Sequence, residues 1–100
     1  MPKAQIGSAA RDDLRDIRIY SKAAFGTVAA RAYLLGLRGV FTFVGENPSA
    51  GVAENDLGNG MRSYGYRSHR VYYRADAAGI LIVRILHHAR DVPRVMGGGA

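Results

Sequence analysis

The apolar residues of this chain change period once, and the change falls just beyond a proline. From residue 10 to residue 44 they recur every three or four positions; from residue 61 to residue 86 they alternate or run in short unbroken blocks. A chain of 100 residues patterned in that order folds its helices first and its sheet afterwards. That predicts an α+β domain.

Residues 3–7, KAQIG, read as an extended edge strand. Ser8 is placed to cap the helix that follows, with Asp12 and Asp13 in its first turn, where the helix dipole favours negative charge. Ala10, Leu14, Ile17, Ser21 and Ala24 trace one helical face, and Gly26 ends it. Thr27 is placed to cap a second helix over about 28–45. Its apolar residues fall in two rows, Ala30, Leu34, Leu37, Phe41 and Val44, and Tyr33, Gly36, Val40 and Phe43. A helix apolar on two faces is covered on both sides. Gly36 and Gly39 each cost roughly 1 kcal/mol against alanine inside a helix, so another element is expected close to them.

Pro48, in ENPSAG (46–51), disfavours helical geometry at Asn47 and stops the helix. A polar loop continues to Gly60. MRSYGY (61–66) and HRVYYRA (69–75) are strands, the second with Val71 and Tyr73 on one face and Arg70, Tyr72 and Arg74 on the other. DAAG (76–79) makes the hairpin turn, and ILIVRIL (80–86), apolar on both faces, is an inner strand. The expected architecture is α+β, in the order β-α-α-β-β-β. An N-terminal edge strand and an α-helical hairpin pack on one face of a small, mostly antiparallel sheet. One domain spans 1–96, and 97–100 form a flexible Gly-rich tail. The opposite face, carrying Arg70, Arg74 and Tyr72, is left open or awaits a partner.

The charge is uneven. Residues 1–60 hold seven Lys/Arg against six Asp/Glu, whereas residues 61–100 hold seven Arg against two Asp, and the chain as a whole carries +6. Arginine makes planar bidentate contacts with carboxylates and phosphates, so the second half suits nucleic acid or an acidic protein. The apolar fraction of 48% argues against disorder. Cysteine is absent, which removes disulfides, thiolate metal sites and thiol nucleophiles together. No apolar run approaches the roughly 20 residues of a membrane span, and MPKAQIGSAARDD has no secretory h-region. The expectation is a cytoplasmic protein with no membrane partner.

Chemistry-bearing patterns are sparse. His87 and His88 are neighbours on an extended segment, so their side chains leave on opposite sides, and His69 lies on another strand; no metal site is expected. Ser63 and Ser68 lack a GxSxG context, and no loop carries the GK[ST] of a phosphate cradle. Metal-free RNA cleavage needs an acid, a base and cations for the phosphorane charge. His69, His87 and His88 supply the first two types, and Arg62, Arg70, Arg84 and Arg90 the third.

The segments AARDDLRDIRIYSKAAFG, ENPSAG, MRSYGYRSHRVYYR and GILIVRILHHARD, in that order, resemble the ParE branch of the RelE/ParE toxin superfamily over roughly residues 3–95. The specific pieces are the A..DL.DI..Y helix, ENP..G, the R.Y....HRVYYR strand pair and the I.I.RILH..RD ending. The resemblance implies a toxin of a type II toxin–antitoxin system. Such a toxin is not an enzyme and takes no cofactor. It binds DNA gyrase, traps its cleaved-DNA complex and is neutralised by a ParD-like antitoxin. The antitoxin's ribbon-helix-helix part binds operator DNA, and its C-terminal segment wraps the toxin in a hetero-oligomer. The toxin itself meets operator DNA only through the antitoxin.

The expected target-contact residues are Arg84, His87, Arg90, Asp91 and Arg94. The expected antitoxin contacts are Tyr33, Leu37, Val40 and Phe41 on the second helix and Arg70 and Arg74 on the sheet. No catalytic residue is expected. The alternative is the RelE branch, a ribosome-dependent mRNA endonuclease. Its members carry lysines in the loop before the strands and a C-terminal tyrosine; VAENDLGNG has no lysine, and Val95 falls about where the tyrosine would be.

Overall fold

A computed structural model describes residues 3–87. The elements are β1 (Lys3–Ile6), α1 (Ser8–Phe25), α2 (Thr27–Glu46), β2 (Val52–Ala53), β3 (Met61–Tyr66), β4 (His69–Asp76) and β5 (Gly79–His87). Single 3-10 turns at Pro48–Ala50 and Asn55–Leu57 flank β2. The five strands form one sheet in the order β1-β5-β4-β3-β2, with β1 parallel to β5 and the other pairs antiparallel. The two helices pack on one face, giving the expected α+β layers. Arg90, Asp91, Arg94 and the 97–100 tail lie outside the described residues.

The helix starts differ from expectation by one residue. Gly7, not Ser8, is the N-cap of α1, and it offers no side-chain cap. The first turn therefore contains no acid, and Asp12 and Asp13 sit one turn further along. Gly26 alone joins the helices. Its amide donates to the Lys22 carbonyl at 3.0 Å, and its own carbonyl accepts from the Ala30 amide at 3.0 Å. Its φ of +92° is one that a side chain resists, so glycine is required there.

The core lies between helices and sheet. Ala10 and Ile17 from α1 and Leu37, Val40, Phe41 and Val44 from α2 meet Val71, Tyr73, Ile80, Ile82 and Ile85. A bulge in β5 makes this possible: Tyr72 pairs with Arg84 but Tyr73 with Ile82, so Val83 has no partner in β4. The extra residue lets Ile82 and Ile85, three apart, face the same way. The opposite sheet face is not purely basic, as the alternation suggested. Met61, Tyr72 and Leu86 are buried there with Leu57 and Val83 against them.

Two further expectations are corrected. The polar loop contains β2, a fifth strand of two residues, too short for any periodicity to announce. And α2 has the length and apolarity of a membrane span, 20 residues at a hydropathy of 1.3. Its buried residues face the sheet, as those of a core helix do.

Tyr73 explains the ENPSAG loop. Its hydroxyl accepts from the Gly51 amide at 2.9 Å and donates to the Pro48 carbonyl at 2.7 Å. Arg62 holds the Gly51 carbonyl at 2.7 Å. One buried phenol thereby sets the path by which the chain leaves α2 and enters β2.

Candidate partner-docking surface

The outward face of the helical hairpin is the most coherent candidate surface. From Ile17 to Gly45 the sequence has four cations, Arg18, Lys22, Arg31 and Arg38, and no acid. The spacing brings all four to one groove of about 340 Å³ between the helices, floored by Ala30, Leu34 and Leu35. Leu35 is 62% exposed. A second groove, of about 500 Å³, continues it past Leu14 and Arg15 to Ile6; a third, of about 460 Å³, runs between β1 and α2. Arg38 borders all three. The first groove is an apolar trough with a cationic rim, while Asp12 borders the second and Glu46 the third. The trough is suited to a chain segment with an apolar side and acidic flanks.

A second cluster sits where α2 meets the end of the sheet. Tyr33 Oη lies 2.7 Å from His69 Nδ1. The Tyr33 ring packs edge-on against Tyr66 and His69, and His69 packs edge-on against His87. Gly36 makes the packing possible, because a Cβ there would collide with the Tyr66 ring and hydroxyl. Nothing approaches the corresponding position of Gly39, so the expectation of a close neighbour holds for one glycine and fails for the other.

Arg84, expected to contact a target, is engaged internally. Its Nε and Nη2 donate to the two carboxylate oxygens of Asp13 at 2.8 and 2.9 Å. The same carboxylate accepts the Ile85 amide at 2.8 Å. The hydrogen bond to Asp13 holds the Arg84 pKa above its usual value, against the opposing effect of partial burial. The Asp13 of the A..DL.DI..Y pattern thus fastens α1 to β5. His87, a second expected target contact, is exposed at the end of β5.

The expected antitoxin contacts do not form one surface. Leu37, Phe41 and Val40 are 0, 4 and 8% exposed and face the sheet, so little of them is open to a partner; they come from both apolar rows, and each row contributes to the core. Tyr33 is half-buried in the aromatic cluster. Arg70 and Arg74 lie across the sheet from the helices. Arg74 is exposed, while Arg70 donates to Ser63 Oγ at 2.8 Å and Ser63 donates to Glu54 at 2.6 Å. Beneath them Tyr72 is 4% exposed, and burial, then Glu54, raises its hydroxyl pKa while Arg70 lowers it. The rim residues Arg18, Arg31 and Arg38 and the floor residue Leu35 were not among the expected contacts, and Leu34 was named only for its apolar row. The signal was present as a stretch of cations without an acid.

Comparison with known proteins gives the family and the fold. The family model described as "ParE toxin of type II toxin-antitoxin system, parDE" matches residues 5–92. Toxin ParE1 of Mycobacterium tuberculosis, from strain CDC 1551 / Oshkosh and from strain ATCC 25618 / H37Rv, is 30% identical over 90 residues, which are 89% of this chain and 92% of the relative. A solved structure described as "Chromosomal ParDE TA system from P. aeruginosa" shares the fold with a TM-score of 0.75 at 19% identity, over 87% of this chain and 96% of its own.

Proposed function

Because the chain belongs to the ParE toxin family of type II toxin–antitoxin systems, we propose that it acts by binding, as a DNA gyrase poison held in check by a ParD-like antitoxin. The observation that carries the antitoxin half of this reading is the trough on the helical hairpin. Its apolar floor of Leu34 and Leu35 and its rim of Arg18, Lys22, Arg31 and Arg38 suit the apolar side and acidic flanks of a wrapping C-terminal segment. The antitoxin contacts proposed from sequence therefore move from Leu37, Val40 and Phe41 to this outward face. The gyrase half rests on family membership and on chemistry. A binding toxin needs no acid–base pair; it needs only to favour one state of its target's cycle. The proposed place of action is the cytoplasm, where gyrase and its DNA are found.

The endonuclease alternative draws less support. Of the cations it would need, Arg62, Arg70 and Arg84 are each engaged with the protein's own oxygens. The deciding experiment adds purified, antitoxin-free protein to gyrase, relaxed plasmid and ATP, and denatures the products. Inhibited supercoiling with accumulated linear DNA is the expected result. Full activity of gyrase in the presence of excess folded protein sinks the mechanism for that gyrase.

A further inference from the structure

A chain that turns a corner in water does so by preference on polar residues, and the corner between the two helices does not. Residues 23–29, AAFGTVA, cover the end of α1, Gly26 and the start of α2; all seven are exposed and none is charged. Phe25 is 68% and Val28 84% exposed. The Phe25 ring meets the exposed Tyr20 edge-on, with centroids 6.4 Å apart. The hairpin tip is therefore a contiguous apolar and aromatic patch, and such patches mark places of contact.

Charge narrows the occupant. Lys22 stands four residues before Gly26 and Arg31 five after it. At a helical rise of about 1.5 Å per residue they lie about 6 and 7.5 Å behind the tip along the hairpin. Arg18 follows one turn further back, and no acid occurs between Ile17 and Gly45. An uncharged tip backed by cations at that depth fits an anionic lipid surface. Apolar groups of interfacial proteins enter roughly 5–10 Å, to the boundary of headgroup and acyl chain. That depth sets Lys22 and Arg31 level with the lipid phosphates, and tyrosine is favoured at the same level. A second copy of the chain fits worse, because packing tip against tip brings like charges together. The expectation of no membrane partner rested on the want of a spanning run, and a surface can be entered without being crossed.

We propose that the tip of the helical hairpin is a peripheral membrane-docking site, with Phe25 and Val28 entering an anionic leaflet and Lys22 and Arg31 meeting its phosphates. The test sediments the full-length protein with vesicles of phosphatidylcholine, with and without phosphatidylglycerol. Binding to the anionic vesicles that weakens with salt is expected, and little to the neutral ones. Phe25→Asp and the double variant Lys22→Glu with Arg31→Glu each weaken it roughly tenfold or more, and Val52→Asp, on the β2 edge strand, leaves it unchanged. The chain has no tryptophan, so Val28→Trp reports on the tip alone. Its emission shifts to the blue on anionic vesicles and is quenched by lipids brominated on their acyl chains. Absence of binding at millimolar anionic lipid overturns the proposal. So does binding that survives Phe25→Asp, binding as strong to neutral vesicles, or vesicle-bound Val28→Trp whose emission does not move. Self-association in sedimentation velocity that Phe25→Asp abolishes, without vesicle binding, gives the tip to a second copy instead. If Phe25→Asp fails to fold, the Val28→Trp emission decides alone.

Discussion

Single side chains divide here into those that hold the fold and those left for a partner, and burial separates them. Tyr73 is fully buried, and its hydroxyl satisfies both Gly51 and Pro48. Tyr73→Phe strands a buried amide and a carbonyl together and is expected to cost about 1–3 kcal/mol in urea denaturation. Tyr72 yields a pH signature. Its folded-state pKa is raised above 10.0, chiefly by burial, so the folded protein holds that proton more tightly than the unfolded chain does. The associated stability is present below pH 10, where both states are protonated, and is lost as pH rises through the folded-state pKa. Melting temperatures measured from pH 9 upward should fall more steeply for the parent than for Tyr72→Phe.

At the scale of the element, α2 carries two glycines with opposite fates. Gly36→Ala drives a methyl group into Tyr66 and is expected to destabilise the fold and disturb the Tyr33–His69 contact. Gly39→Ala meets nothing and is expected to stabilise by up to about 1 kcal/mol, through helix propensity alone. Thermal melts of the two variants, moving in opposite directions, check both. The strands were the most legible elements. β3 falls on residues 61–66 as the alternation required, and β4 runs one residue past its expected end. The pattern reports its own period, so long alternating segments announce themselves. It reports no register, which is why the bulge at Val83, the pairing of His69 with His87 and the two-residue β2 were not visible. Nor does it say which members of the two apolar rows on α2 face inward, since Leu37, Phe41 and Val44 of one and Val40 of the other all reach the core. Leu37 and Phe41 were assigned to a partner on a row that the sheet covers, whereas Leu35, on neither row, is open.

For the whole molecule, the basic character first attributed to the second half of the chain is shared by the hairpin. Asp12, Asp13 and Asp16 balance that half in the count; none of them lines the groove that gathers Arg18, Lys22, Arg31 and Arg38, although Asp12 borders the groove that continues it. Net charge by segment hid a polarity that the fold makes spatial. Arg31→Glu and Arg38→Glu are expected to slow antitoxin association and to weaken its dependence on salt, with smaller effects on dissociation; stopped-flow mixing at two ionic strengths measures both. The Asp13 carboxylate has a consequence at the same scale. β1 accompanies β5 only as far as Ile82, and beyond that point no strand among the described residues pairs with β5 on that side. An uncovered strand margin invites other chains to zip onto it and aggregate. By taking the Ile85 amide and anchoring Arg84, α1 seals part of that seam, so a toxin molecule released from its antitoxin is better protected from polymerising with its own kind.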